Sequence, residues 1–175
     1  NTSYLKKYVP HKKIALIKCV GRIQGFMVRK GNPKNIGKFE DLQREGIKFV
    51  NRQRGSGTRL LLDYNLNKSG ISPDSINGYY REEFTHLAVA AAVEAGDADA
   101  GLGVFSAAAL MGLDFIPVCN EEYDLAIPEE YMSLDIVKEF IETIKSEEFR
   151  KKLDELGGYD YSNTGTIITQ GAEHA

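Results

Sequence analysis

Short aliphatic runs alternate along the chain with amphipathic stretches, and this alternation predicts strands and helices in turn. Strands are predicted at 14–20, 22–29, 47–51, 76–80, 99–104, 114–118 and 124–127. Helices are predicted at 38–45, from Leu60 to a stop at Gly70, at 85–95, 105–111 and 134–145, and between Ser146 and Gly157. This order predicts an α/β fold with a largely parallel sheet. The stretch 162–175 lacks a core pattern and is expected to be a loose or partner-bound tail.

The composition is that of an ordinary globular protein. The chain has 175 residues, enough for one average domain or two small lobes, with 42% hydrophobic and 27% charged residues. Its 22 Lys and Arg against 25 Asp and Glu give a net charge of −3. This balance argues against a surface that coats nucleic acid, but not against a local basic pocket. No apolar run is long enough to span a membrane, so no membrane partner is expected.

The segment from Arg52 to Arg59 leads out of a predicted strand and into a predicted helix. A helix N-terminus carries N–H groups without intrahelical partners and about half a positive charge. The segment adds glycines that let amides approach a ligand, hydroxyl groups and guanidinium groups: Gly55, Gly57, Ser56, Thr58, Arg52, Arg54 and Arg59. These are the parts of an oxyanion site. The alternative is a Ser/Thr-capped helix with surface arginines. The spacing matches neither a Walker A loop nor a nucleophile elbow.

A second predicted helix start follows at Thr85 and His86. Thr85 is a good N-cap, and its hydroxyl with the adjoining amides is predicted to hold a second side of the same anion, helped by His86 when the imidazole is protonated. The alternative is a capped helix with a solvent-facing histidine. Glu82 and Glu83 just before it would oppose an anion and are interpreted as surface residues.

Tyr123 stands at the mouth of a predicted strand, where its phenol is placed to donate to an anion; the alternative is a plain strand-edge tyrosine. Elsewhere the chain offers little to a catalyst. Its histidines are scattered, Cys19 and Cys119 stand far apart as reduced thiols, and no Ser/His/Asp order or distinguished carboxylate pair is present. The sequence therefore predicts no metal, no cofactor and no catalytic activity.

Six segments share one further pattern: 49–59, 78–93, 97–103, 114–117, 123–128 and 156–160. Together they resemble the periplasmic-binding-protein-like domain that is fused to molybdopterin molybdotransferases or to helix-turn-helix regulators. That domain is a member of the type II binding-protein superfamily, with relatives among molybdate and tungstate receptors and LysR-type effector domains. The resemblance covers about Tyr4 to Gly165.

The resemblance implies two α/β lobes joined by crossing strands near 26–30 and 118–123, with an oxyanion held by helix N-termini. Residues 37–117 are then lobe two. Residues 1–36 supply part of lobe one and a hinge strand, and 118–175 supply the return strand, lobe-one helices and the tail. Matched residue by residue, the ligand-binding residues are expected to be Arg54, Gly55, Ser56, Gly57, Thr58, Thr85, His86 and Tyr123.

Family members carry about sixty further residues before the aligned segment, which supply the first β-α-β of lobe one. Lobe one is therefore expected to be N-terminally incomplete here. The expected function is binding or sensing of a small oxyanion, first of all molybdate or tungstate, by cleft closure, in molybdenum cofactor biosynthesis or its regulation. The alternative is the effector domain of a LysR-like regulator with an organic ligand.

Expected partners are a fused or associated molybdotransferase or helix-turn-helix DNA-binding domain, and a second copy in a homodimer. The cysteine usage and the family's fusions favour the cytoplasm over the periplasm or the cell exterior.

Overall fold

The computed structural model describes residues 2–169, which divide into two compact units. The central unit is Ile23–Cys119, and the terminal unit is formed by the segments on either side of it. Two 15-residue strands, β1 (Ile14–Val28) and β5 (Asp114–Pro128), each run from one unit into the other. The sequence prediction placed the divisions after residues 36 and 117, so the structure assigns 23–36 to the central unit instead.

Short strands and helices alternate in the central unit. They are β2 (Phe49–Arg52), α2 (Gly57–Lys68), β3 (Glu82–Glu83), α3 (His86–Glu94), β4 (Ala100–Val104) and α4 (Phe105–Leu110), with 3-10 turns at Phe39–Gln43 and Pro73–Ser75. The strand order is β3-β2-β4-β1-β5. β2 runs parallel to β3 and to β4, whereas β4 pairs antiparallel with β1. β2 and β4 are buried along their whole length, as is typical of parallel strands covered on both faces.

Helices cover both faces of the central sheet because successive strand residues point to opposite sides. Phe26 and Phe49 pack in one apolar cluster with residues of α2. Their neighbours Met27 and Val50 pack in a second cluster with residues of α3 and α4. The helix starts that follow the strands are therefore anchored from both sides of the sheet.

The terminal unit contains the first half of β1, the second half of β5 and the remaining helices. These are α1 (Thr2–Tyr8), α5 (Asp135–Lys145) and α6 (Glu147–Leu156), with a 3-10 turn at Glu129–Tyr131 and two short strands, β6 (Tyr159–Asp160) and β7 (Ile167–Thr169). β6 and β7 pair antiparallel with β1. Residues of α5 pack against Ile17, and Leu153 of α6 packs with Cys19 and Val20.

The structure confirms the α/β class and most of the predicted helices, and it corrects several strands. The two strands predicted around Gly21 are one continuous β1, and those predicted on either side of 119–123 are one continuous β5. The strand predicted at 76–80 is wrong, because Gly78 turns the chain with a φ of +97°. The helix predicted at 38–45 is only a 3-10 turn.

The prediction of a largely parallel sheet holds for β2, β3 and β4 but is wrong for β1, which pairs antiparallel with β4, β6 and β7. The prediction of a loose tail is also wrong for β7, because this segment pairs with Ala15, Leu16 and Ile17. Residues 170–175, the rest of that predicted tail, lie outside the described residues.

Candidate functional site

The first helix start follows the carboxyl end of β2. The chain turns at Gly55, whose φ of +86° lies in the region that favours glycine. Ser56 then caps α2, its Oγ accepting a hydrogen bond from the Arg59 amide at 3.1 Å. Gly57 is the first helical residue, and the Arg54 side chain is exposed beside this turn. The amides of the first helical turn therefore face out of the helix end, next to one exposed guanidinium.

Thr58 fixes this helix start to the sheet. Its side chain is buried, and Oγ1 donates to Oε1 of Gln24 on β1 at 2.8 Å. Gln24 is itself only 1% exposed. Sequence reasoning missed Gln24, since a lone glutamine in a strand carries no local signal. The ligand role of Thr58 stays a prediction.

Arg59 lies inside the unit and not at its surface. It is 3% exposed, its Nε donates to Asp63 Oδ1 at 3.1 Å, and its Nη1 donates to Glu82 Oε1 at 3.0 Å. Its guanidinium carbon lies 4.1 Å from the centre of the Tyr79 ring. Burial alone would lower the pKa of Arg59, but the contacts with Tyr79 and Asp63 raise that pKa overall, so the group stays charged.

Two interpretations of charge are corrected by this arrangement. Arg59 does not lend its charge to an anion, because two carboxylates already face it. Glu82 is not a plain surface residue, because its side chain is only 30% exposed and pairs with Arg59. The four-residue spacing of Arg59 and Asp63 was the signal in the sequence, since it places both on one helix face.

The second helix start lies beside the first. β3 pairs parallel with β2, with Arg52 opposite Glu83, and the Gln53 amide donates to the Glu83 carbonyl at 3.1 Å. Arg52 Nη2 also donates to the carbonyl of Phe84 at 3.1 Å. Parallel strands end at the same edge of a sheet, which is where ligands bind in α/β folds. The segments that enter α2 and α3 therefore leave this edge side by side.

Thr85 caps α3 as predicted: it is exposed, and its Oγ1 accepts from the Ala88 amide at 2.9 Å. His86, the first residue of α3, is half-buried, and its Nδ1 would lie 3.5 Å from a Cβ built on Gly103 of β4. The imidazole therefore lies against the sheet, so the alternative of a solvent-facing histidine is wrong. A ligand role for Thr85 and His86 stays a prediction.

Tyr123 belongs to the terminal unit, whereas the other predicted ligand residues lie in the central unit. It is 48% exposed on β5, and the guanidinium carbon of Arg22 lies 5.0 Å from the centre of its ring. Arg22 also donates to Glu121 Oε2 at 2.6 Å. Arg22 is thus a neighbour of Tyr123 that sequence reasoning missed, since about a hundred residues separate them in the chain.

Metal and membrane sites were searched over residues 2–169. In this range no three His, Cys, Asp or Glu side chains stand close enough together to hold a metal ion. None of the helices described in the same range combines the length and the apolar character that crossing a bilayer requires.

Comparison with known proteins decides the family. The model of the PBP superfamily domain matches residues 1–145. The chain belongs to the PBP superfamily. Among curated relatives, this PBP superfamily chain is 38% identical to the uncharacterized protein YvgK of Bacillus subtilis (strain 168) over 170 residues. The match covers 97% of the chain and 54% of the relative, so the chain spans about half the length of that protein.

Solved structures of binding proteins share the fold of this PBP superfamily chain. The ancestral amino acid-binding protein AncCDT-1, a precursor of cyclohexadienyl dehydratase, matches with a TM-score of 0.58 and 18% identity, covering 95% of this chain and 66% of that one. The substrate binding domain of a putative molybdenum ABC transporter from Clostridium difficile matches with a TM-score of 0.51 and 17% identity, covering 91% and 72%. These likenesses confirm the predicted fold class of two-lobed periplasmic binding proteins.

Proposed function

We propose that this chain is a non-catalytic binding or sensing domain for a small oxyanion, in the first place molybdate or tungstate, in molybdenum cofactor biosynthesis or its regulation. The observation that carries the proposal is the pair of Ser/Thr-capped helix starts that follow the neighbouring parallel strands β2 and β3. Two helix ends with amides and hydroxyls facing one region favour a dianion without requiring a full counter-charge.

Further support comes from the charge around the two helix starts. Arg59 is matched by Asp63 and Glu82, while Arg54 remains exposed beside Ser56. An anion at this edge would meet hydroxyls, backbone amides and one flexible guanidinium, which limits the cost of desolvating fixed ion pairs. One of the similar solved structures is the substrate binding domain of a putative molybdenum transporter, which agrees with this choice of anion.

A second candidate is an organic anion, as for an effector domain of a LysR-like regulator. The observation in its favour is exposed apolar surface beside the helix starts: Phe84 is 73% exposed, Leu60 52% and Leu87 42%. A bare oxyanion has no use for such side chains, whereas an organic ligand would bury them. Other similar structures are amino acid-binding proteins, which fits this candidate.

The test is calorimetric titration of the protein with molybdate, tungstate, sulfate and phosphate, repeated with Ser56→Ala and Thr85→Ala. We expect selective binding of molybdate or tungstate and a loss of about tenfold in affinity for each variant, because each removes a hydroxyl from a charged ligand. Ser146→Ala is the matched control, since it removes a similar serine cap from α6 in the terminal unit.

Equal affinities of Ser56→Ala, Thr85→Ala and wild type would contradict the assignment of the two helix starts. Silence of the wild-type protein toward all four anions would contradict the oxyanion proposal. In that case titration with amino acids and small organic acids tests the second candidate.

A further inference from the structure

The contacts of Arg59 and Arg52 join the two helix starts. The Arg59 cluster, which consists of Arg59, Asp63, Tyr79 and Glu82, is continuous: Tyr79 donates its hydroxyl to Asp63 Oδ1 at 2.7 Å, and Arg59 contacts all three partners. Arg59 and Asp63 belong to the first two turns of α2, while Glu82 belongs to β3.

Glu82 stands three residues before the Thr85 cap, so its bond with Arg59 ties the first turn of α2 to the strand that leads into α3. The hydrogen bond from Arg52 Nη2 to the Phe84 carbonyl at 3.1 Å ties β2 to the residue directly before that cap. Two arginines thus cross from the β2–α2 connection to the β3–α3 connection. Neither connection can shift along the sheet edge without breaking one of these bonds.

The cluster is buried enough for its geometry to be fixed. Arg59 is 3% exposed and Tyr79 is 7% exposed. A planar guanidinium that makes bonds to two carboxylates and lies over a ring has little rotational freedom, unlike a single ammonium. The charge of the guanidinium is already matched within the cluster, so its contribution to a ligand at the sheet edge must come through position and not through attraction.

We propose that Arg59 and Glu82 are positioning residues that fix the spacing between the N-termini of α2 and α3, and that this spacing sets which oxyanions the site accepts. The assignment of an oxyanion rests on the proposed function; the fixed spacing rests on the contacts within the central unit. Amides held at a fixed spacing discriminate between anions by the length of the hydrogen bonds they can make, whereas a loose pair adapts to anions of different size.

The experiment compares four variants with the wild-type protein: Glu82→Ala removes the bond, Glu82→Gln keeps an acceptor oxygen, Arg59→Lys cannot reach both carboxylates, and Glu83→Ala is the control. Glu83 is the next residue of β3 and is also half-buried. Its backbone carbonyl accepts from Gln53, a bond that an alanine retains. Circular dichroism and thermal unfolding establish that each variant is folded at the temperature of the measurements.

The first readout is calorimetric titration with molybdate, tungstate, phosphate and sulfate. We expect Glu82→Ala and Arg59→Lys to weaken the preferred anion about tenfold, as for loss of a charge-assisted hydrogen bond. We also expect the ratio of affinities between the larger and the smaller anions to move toward one. Glu82→Gln should recover part of both quantities, and Glu83→Ala should leave both unchanged. A merely structural loss would lower the unfolding temperature without changing that ratio, and this result would overturn the proposal.

The second readout needs no ligand. The Leu60 amide bonds to the Ser56 carbonyl and the Val89 amide to the Thr85 carbonyl, so both report on the helix starts. We expect hydrogen exchange of both amides to accelerate in Glu82→Ala and not in Glu83→Ala. If the wild-type protein binds none of the four anions, the proposed function fails while this exchange comparison still decides the positioning role. Equal exchange in wild type and Glu82→Ala would overturn that role.

Discussion

Gly78 occupies a position where an L-residue has neither the backbone conformation nor the space. Its φ is +97°, and a Cβ built on it would lie 1.9 Å from the carbonyl oxygen of Phe49. Phe49 begins β2, so any shift of this backbone displaces the strand that leads to the first helix start. We expect Gly78→Ala to lower the free energy of unfolding by about 3 kcal/mol or more, as the sum of left-handed strain and overpacking.

Urea unfolding followed by circular dichroism measures this change, and Gly112→Ala is its matched control. Gly112 also has a positive φ, of +65°, but a Cβ there would meet nothing within 4 Å. The control should therefore lose only about 1–2 kcal/mol, the strain of the left-handed conformation. Equal losses in the two variants would show that the approach to Phe49 contributes nothing.

Residue types at the candidate site were predictable from the sequence, but their partners were not. Ser56 and Thr85 were identified as caps because a capping residue acts on amides only a few positions away. Thr58 and Arg59 were interpreted as ligands, although one donates to Gln24 and the other to Glu82. Those partners lie 34 and 23 positions away, so only the folded sheet decides which donors remain at the surface.

At the scale of single elements, Ser146 connects two helices of the terminal unit. Its Oγ accepts from the Phe149 amide at 3.1 Å, capping α6, and donates to the Thr143 carbonyl at the end of α5 at 2.7 Å. We expect Ser146→Ala to lower the free energy of unfolding by about 1 kcal/mol, since one cap bond and one helix-end bond are lost. Urea unfolding measures the loss.

Ser72 provides the control for this element. It occupies the N-cap of the 3-10 turn at Pro73–Ser75, but its side chain makes no capping hydrogen bond. Ser72→Ala should therefore change the free energy of unfolding by less than about 0.5 kcal/mol. A loss at Ser146 no larger than the loss at Ser72 would contradict the linking role.

Strand lengths were the elements that sequence reasoning predicted least well. Gly21 suggested a break, yet β1 continues through it, and a Cβ there would lie 3.2 Å from the Asp160 Cβ, so the glycine serves a close approach between strands. β5 continues through polar residues 120–124, which lack the aliphatic pattern used to find strands. Helices were easier to predict, because caps and apolar spacing are local signals whereas strand pairing is not.

At the scale of the whole molecule, the fold family was accessible and the ligand was not. Segments spread over the chain resembled binding proteins, and the PBP superfamily match confirms that resemblance. The same fold serves molybdenum transport and amino acid binding among its structural neighbours. Ligand choice depends on the spacing and orientation of a few amides and hydroxyls, which the residue types alone do not specify.

Acid acts on the whole molecule through carboxylates whose charged form is stabilised by folding. Burial would raise the pKa of Asp41, but hydrogen bonds from the Gly37 and Lys38 amides and the nearby Arg44 lower that pKa overall. A hydrogen bond from the Ser162 amide lowers the pKa of Asp160. Because these values lie below those of the unfolded chain, the folded protein binds fewer protons in this range. The stabilisation is therefore present above the ordinary Asp value of about 3.9 and is lost as pH falls through the folded values.

We therefore expect the free energy of unfolding to be nearly constant from about pH 7 to about pH 5 and to fall below about pH 4, as urea titrations at a series of pH values will measure. Loss of carboxylate charge also leaves the 22 Lys and Arg unbalanced, and their repulsion acts in the same direction. Asp41→Asn separates the two causes: it should be less stable than wild type at neutral pH and should lose less on acidification. A variant that loses as much as wild type between about pH 4 and about pH 3 would show that Asp41 contributes nothing to the profile.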